Sequence, residues 1–562
     1  MKKLSARTLT FKLLPLVIFT VLLGAAALAG SAGAQGVPAS KTYYFTWYDS
    51  TPADGMQGDW IIIGNLENSS ANVQVFFGDQ ERKQFNLGPL ARQVVSWPNT
   101  MGGPVKVVST GGQALIVTQR VIHNGYFNEV AAIMGSSLDS SYYFTWYDFT
   151  PQDSMNGNWV LIANEDTQAA AVNVYIGSSP APARSFNLAP GQFVTPQFPR
   201  RMGGPVHVES AGGQKLLVSQ RVLYKNSFNE VMGFPESSLD SVYYFDWYDM
   251  TSDFSAGNWV LVSNPNNASV QAQVYIGGGA NPRGTYTLGP HQTVTPTYPG
   301  LMNGPVRVIC TSGCSAGGRL IVSQRMLYKN SFEEVQGTPP AGMDTEMDFG
   351  WYDEQSPGMK SWQLISNPDP TSPGAAASVY INSTSPNPIY SAAVPGGGRV
   401  TPQFPGVMNG PVNVMGSGVL LASQRVLYNS TSFNELVGLP RYATGQQIGA
   451  MMPDLQLLYM NAEWADSTSR QLTVEFRIMN YGQKEALSAS VDRVDADNGV
   501  TAATPLPVSL GDIETVPSHG VTFSITYHIP PGVQSFHTTL YGHCQDSSGT
   551  TYYYPSKPAS GL

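Results

Sequence analysis

Short stretches of alternating apolar and polar residues, interrupted every few positions by Gly, Pro or Asn, run through most of this chain. Between 142 and 224, the segments 142–148, 159–163, 171–176, 184–188, 192–197, 206–209 and 216–224 are rich in Val, Ile, Tyr and Phe. Alternation with period two marks half-buried strands, and no stretch sustains apolar spacing at the helical period. Seven strands in about 100 residues predict an immunoglobulin-like β-sandwich. Alternation also assigns faces. In 142–148, Tyr142, Phe144, Trp146 and Asp148 share one side, and Tyr143, Thr145 and Tyr147 the other. The Trp side is expected to face the core, because Trp and Phe bury large areas.

The same pattern recurs. Tyr43-Tyr44-Phe45-Thr46-Trp47-Tyr48-Asp49 returns at 142–148, at 243–249 with Asp246 for the Thr, and more weakly at 347–353. Trp47, Trp146, Trp247 and Trp351 are separated by 99, 101 and 104 residues. Each is followed by a second Trp (60, 159, 259, 362) and a Gly-Pro-Val (Pro104, Pro205, Pro305, Pro411). A Gln-Arg (Arg120, Arg221, Arg325, Arg425) and a Glu (129, 230, 334, 435) close each copy. Five landmarks in one order define four homologous modules, 41–137, 138–238, 239–340 and 341–441. A propeller blade repeats at about 40–50 residues, so the expected fold class is all-β: a tandem array of four Ig-like sandwiches, strung like beads.

The recurring charges invite a role. In 216–224 the Arg is flanked by apolar neighbours, and a buried charge without a partner is costly. Asp148, Arg221 and Glu230 are therefore read as one ion-pair network, repeated as Asp49/Arg120/Glu129, Asp249/Arg325/Glu334 and Asp353/Arg425/Glu435. The competing reading is catalytic, since carboxylate pairs hydrolyse glycosides. Four active sites in one chain would be unusual, and the structural reading is preferred. No G-x-S-x-G, H-E-x-x-H or P-loop pattern occurs, and His holds no recurring position. The chain is read as non-enzymatic, with no cofactor and no metal.

Lys2, Lys3 and Arg7 precede an apolar run from about Leu13 to Ala29 that ends in Ala32-Gly33-Ala34. This is the form of a secretory signal peptide, 1–34, cleaved after Ala34; the alternative is a retained N-terminal membrane anchor. Export to the cell surface or medium is expected. The chain has 562 residues with 30 Lys+Arg against 39 Asp+Glu, a net charge of -9. With no basic block, nucleic acid is not an expected partner.

After Arg441 the repeat stops, and a linker containing Gly445-Gln446-Gln447 leads to a last domain, 450–558. It opens with Pro453-Asp454-Leu455, continues as Val474-x-Phe476-x-Ile478-x-Asn480-x-Gly482, and places Leu510-Gly511 before Val521-x-Phe523. These motifs resemble the bacterial cell-adhesion-related Ig-like family known as CARDB, over about 100 residues and with low specificity. The resemblance implies an Ig-like spacer or adhesion domain without catalytic residues. The four repeats themselves look like those of bacterial surface proteins.

Cys310 and Cys314 fall where module 3 is longer than its neighbours, and an exported chain can keep them as a disulfide across a hairpin tip. Cys544 is left odd. Asp495-Ala496-Asp497-Asn498-Gly499 begins like a calcium loop but has Leu506 at the twelfth position, so a tight turn is the simpler reading. Asn68, Asn267, Asn382 and Asn429 open N-glycosylation patterns. Tyr44, Tyr48, Tyr143, Tyr147, Tyr244 and Tyr248 are candidate carbohydrate-contact platforms, against structural use on a sheet face. The preferred function is an exported structural or adhesion protein whose partners are cell-envelope components or polysaccharide. The alternatives are a multivalent carbohydrate-binding protein and an unrecognised wall-polymer hydrolase.

Overall fold

The computed structural model describes residues 41–555 except 68, 252–253, 255, 315–318, 373, 382–387, 442–454, 467, 481–484, 497, 515–519, 534–535, 537 and 546–550. The leader with its Ala34 cleavage site, the 445–447 linker and the 453–454 opening of the last domain lie outside the described residues. The chain is all-β apart from short 3-10 turns. It divides into two compact units, one holding the four modules and one holding the C-terminal domain.

Module 2 shows the shared plan. One antiparallel sheet orders Arg184–Leu188, Ala170–Ile176, Val206–Ser210, Ser141–Phe144 and Phe234–Pro235. The other orders Phe193–Val194, Met155–Asn164, Leu216–Tyr224 and Ser227–Met232. Tyr142, Phe144, Val160, Ile162, Val174 and Val218 fill the space between them. This is the sandwich that the alternation predicts.

Two departures from the expected strands govern the rest. The first strand does not run through to 148: it stops at Phe144 and resumes as Tyr147–Asp148, paired with Met202–Gly203. The break resets the alternation, so Tyr147 enters the core and Trp146 leaves it. The Gly-Pro landmark is part of this local geometry. A Cβ on Gly103, Gly204, Gly304 or Gly410 would collide with the carbonyl oxygen of Thr46, Thr145, Asp246 or Gly350, at the break. Only glycine lets the two chains pass so closely.

The second departure is the additional strand Ser227–Met232, in which all six residues are buried. Polar and apolar positions are covered alike, so no alternation announces it. Its counterparts are Tyr126–Ala131, Ser331–Gln336 and Ser432–Val437. These four strands contact one another in cyclic order. The modules therefore close into a ring, and the expected string of separate beads is corrected. The physical cause lies on the outer face of each four-stranded sheet. In module 2 that face carries Ala163, Leu217 and Met232, buried against Tyr44 and Val130 of module 1. A sheet apolar on both faces must be covered twice.

Serine hydroxyls staple the ring at its centre. Ser432 accepts from the Phe127 N–H at 2.7 Å and donates to the Phe127 carbonyl at 3.2 Å, across 305 residues of sequence. Ser227 bridges Phe332 in the same way at 2.9 and 3.4 Å, and Ser331 bridges Phe433 at 3.0 and 3.3 Å. At the seam between modules 1 and 2 the serine's place is taken by Tyr126, and the His123 ring meets the Asn226 carbonyl at 3.2 Å instead. Asn128, Asn229, Glu333 and Asn434 occupy equivalent buried positions on these strands. Asn229 and Asn434 each donate Nδ2 to the Glu333 carboxylate at 3.0 Å. Burial raises the Glu333 pKa well above the usual carboxylate range.

The C-terminal domain is a separate sandwich of two four-stranded sheets. Leu455–Asp466, Gln471–Asn480, Val521–His528 and Thr501–Ala502 form one; Val508–Ile513, Ala486–Ala496, Thr538–Gln545 and Thr551–Pro555 form the other. Phe476, Ile478, Val491, Ile525 and Leu540 lie in its core, with Cys544 buried beside them.

Candidate functional site at the seams between modules

Three of the sequence landmarks prove to be one transverse row. Trp159, Arg221 and Glu230 are register partners on adjacent strands. Trp60/Arg120/Glu129, Trp259/Arg325/Glu334 and Trp362/Arg425/Glu435 repeat the row. Directly opposed residues on one sheet face are close neighbours, so each Arg reaches its Glu without reorganisation. Arg120 pairs with Glu129 at 2.7 Å, Arg325 with Glu334 at 2.5 Å, Arg425 with Glu435 at 2.5 Å, and Arg221 with Glu230 through both Nε and Nη2. Each guanidinium also lies over a Phe of the axial strand, Phe127, Phe228, Phe332 or Phe433, at 4.9 to 5.1 Å.

The second carboxylate oxygen looks across the seam. Glu230 accepts from Ser219 of its own module at 2.7 Å and from Thr46 of the preceding module at 2.9 Å. Glu334 accepts from Ser323 at 2.7 Å and from Thr145 at 2.9 Å. Between modules 3 and 4 the threonine is replaced by the buried Asp246, which accepts from Ser366 at 2.5 Å. Desolvation raises its pKa to about 7, the nearby Glu435 adding to the shift while the bonds from Ser366 and Ser423 and the charge of Arg425 oppose it. Between modules 4 and 1 the position is Gly350, packed close to Thr118.

The aspartates do not join these pairs, which corrects the three-membered network. Asp49, Asp148 and Asp249 each accept from the N–H and hydroxyl of the Thr two residues on, Thr51, Thr150 and Thr251. Asp353 accepts from the N–H groups of Gln355 and Ser356. The strand break supplies the reason: after it, Asp148 caps the turn that follows its own two-residue strand. Asp148 still faces Arg325 of the next module across the seam, whose charge lowers its pKa against a larger desolvation that raises it.

The tyrosine platforms are corrected as well. Tyr48, Tyr147 and Tyr248 are wholly buried, donating to the carbonyls of Asp59, Asn158 and Asn258. Burial pushes Tyr48 and Tyr248 up to about 12. Tyr143 is buried and stacked on His207 at 4.4 Å, while Tyr44 and Tyr244 are half-buried. The strand break accounts for Tyr48, Tyr147 and Tyr248, which follow it and turn inward while the tryptophans move to the seam; Tyr44, Tyr143 and Tyr244 precede it.

The remaining candidates are local. Cys310 and Cys314 are bonded, with Cα atoms 6.1 Å apart. In the segment read as a calcium loop or turn, Asn498 and Gly499 have φ of 57° and 73°, values suited to a tight turn, and Asp497 lies outside the described residues. Asn267 and Asn429 are exposed, while Asn68 and Asn382 lie outside the described residues. Sequence reading missed one repeated feature. Met101, Met202, Met302 and Met408 are exposed at equivalent positions, and the signal was present as Met-(Gly/Asn)-Gly-Pro in every copy. It also missed Ser490, Asp492 and His543 in the last domain. Ser490 and Asp492 meet the same His543 nitrogen, Nδ1, at 3.1 and 2.6 Å. A serine–histidine–aspartate relay needs two different ring nitrogens, so this cluster has another geometry.

Clefts remain at the seams. Between modules 1 and 2 a cleft of about 340 Å³ lies between Trp47 and Asp49 on one side and Trp159, Arg221 and Phe228 on the other. Between modules 2 and 3 the equivalent cleft, about 460 Å³, has Trp146 and Asp148 facing Trp259, Arg325 and Phe332. Between modules 3 and 4 it shrinks to about 270 Å³, with Trp247 and Tyr328 facing Trp362, Arg425 and Phe433. One aromatic from each neighbour, an arginine and a phenylalanine thus recur at three seams. No protein-family model matches this chain, and no curated protein matches it.

Proposed function

We propose that this is an exported, non-enzymatic cell-surface protein, structural or adhesive in role, in which a ring of four sandwiches is carried with a CARDB-like spacer domain. The single observation that carries the reading is the use made of the recurring acids. Glu230 is held at once by Arg221 and Ser219 of its own module and by Thr46 of its neighbour. A carboxylate so engaged has its lone pairs spent on the seam, where it acts as a clamp. A ring with such clamps at two of its seams, and serine staples at three, suits a rigid scaffold. The leader read at 1–34 supports export. The test is fractionation of a bacterium expressing the chain with its own leader. Recovery in the envelope or medium, shortened at the N-terminus, is the expected result. Full-length protein confined to the cytosol would overturn it.

A further inference from the structure

We propose that the clefts between modules 1 and 2 and between modules 2 and 3 are binding sites for a neutral pyranose residue of a glycan. The inference rests on the reading of the protein as a surface component and adds its ligand. Its first support is that the tryptophan platform is built. A Cβ on Gly157 would overlap the Trp159 indole, and one on Gly257 would overlap that of Trp259. Each ring therefore lies flat on the backbone two residues before it, leaving its opposite face to the cleft, where it is only part-covered. The preceding module stands a second indole across the gap, Trp47 or Trp146, and Trp47 is met edge-on by Phe193 with ring centres 4.8 Å apart.

The polar groups are as selective as the aromatic ones. Each of these two clefts presents two carboxylates, Asp49 with Asp54 or Asp148 with Asp153, and one guanidinium, Arg221 or Arg325. Asp49 and Asp148 spend one oxygen, Oδ1, on the following threonine. The arginines direct Nε and Nη2 at their glutamates. A hydroxyl can donate to a carboxylate and accept from the guanidinium, whereas an anion would meet two carboxylates and a cation the guanidinium. A ring with C–H faces and hydroxyl edges matches flat indoles bordered by such groups, and the volumes fall in the range of small-ligand clefts.

The other two seams carry a built-in plug. Phe193 and Thr293 stand at one position of modules 2 and 3, paired with Ala163 and Ser263 of the adjoining strand. Modules 4 and 1 have Arg399 and Arg92 there. The Arg399 guanidinium lies 3.6 Å from the Trp247 ring centre, and that of Arg92 lies 2.9 Å from the Trp351 ring centre. Where an arginine covers the first indole, that face is already taken. The plugged cleft between modules 3 and 4 is also the smallest of the three. Two open sites on one ring would act together on a polymer, giving avidity beyond either alone.

The test uses the full exported chain against maltohexaose, cellohexaose, xylohexaose and mannohexaose, followed by tryptophan fluorescence, and against the matching insoluble polysaccharides by retention. At least one neutral glycan is expected to bind saturably and to be competed by its soluble form. Trp159→Ala and Trp259→Ala should each weaken retention, and together by at least tenfold. The double variant Phe193→Arg, Thr293→Arg installs the chain's own plug, so it should keep the fold, seen as an unchanged circular dichroism spectrum, and lose binding. No retention on any neutral glycan, or retention untouched by the plug, would overturn the inference. Because location is scored separately, protein found in the envelope that binds no glycan sinks only this inference. Glycan binding by a protein confined to the cytosol sinks only the surface reading.

Discussion

Asp246 shows how a single residue can set the pH response of a seam. Thr46 and Thr145 donate to the clamp glutamates of the next module, but Asp246 can do so only when protonated. Its folded pKa of about 7 stands above the ordinary 3.8, so the folded state holds the proton more tightly than the unfolded chain does. Stability from this group is therefore complete below about pH 4 and is lost as pH rises toward 7. Groups facing it are Glu435, which deepens the effect, and Arg425, which opposes it. Glu333 is shifted in the same direction by burial. Asp246→Thr restores the residue of modules 1 and 2. It should raise stability at pH 8 by on the order of 2–4 kcal/mol and leave pH 4 almost unchanged. Urea midpoints at the two pH values check this, and an equal change at both would refute it. At this scale the Arg–Glu pairing was legible from flanking apolar residues. The role of the aspartates was not, because it depends on a strand break that alternation alone conceals.

At the scale of elements the axial strands decide the architecture. Each is an edge strand of its own module's sheet, which in module 4 is part of one eight-stranded sheet, and also a neighbour of two others around the ring. Ser227–Met232 is covered on both faces and so reads as patternless, which is why it escaped a search for alternation. The staple serines stand at its first position in three modules. Ser432→Ala would leave the buried Phe127 N–H without its partner at the closing seam. The expected cost is about 1–3 kcal/mol, with amide exchange at Phe127 accelerated and exchange at Phe332 unchanged. Equal protection at Phe127 in both proteins would mean that the staple is dispensable. The Gly-x-Trp spacing in modules 1 to 3 was visible in the sequence as Gly58, Gly157 and Gly257, but its meaning needed the ring placed flat on the backbone.

At the scale of the whole ring, each module's four-stranded sheet uses its neighbour as the second half of its packing. Removing module 4, residues 341–441, would uncover Ile62 and Thr118 of module 1, which pack near Gly350, together with Phe127. It would uncover Trp247 and Ser331 of module 3 on the other side. Large apolar patches of this kind drive association. The truncated chain is expected to self-associate on size-exclusion chromatography with light scattering, while the intact chain stays at one size. A monomeric truncation with an unchanged unfolding midpoint would show that the modules are independent beads after all. For the same reason a single excised module is a poor test of any seam residue, because half of its contacts leave with the neighbours.

What the sequence determined by itself was the module and its repetition. Period-two alternation selects strands, Gly and Pro punctuate them, and four recurrences of the same landmarks require four similar sandwiches. These are local and periodic signals, readable without knowing what lies across the chain. Only the tertiary structure decided that the first strand breaks before its Trp, that tyrosines fill the cores while tryptophans line the seams, and that the array closes on itself. Closure depends on contacts between residues 184 and 305 positions apart, Thr46 with Glu230 and Ser432 with Phe127. Whether the last module meets the first is set by the rotation at every seam. That rotation comes from packing on sheet faces, and no residue pattern along one strand records it.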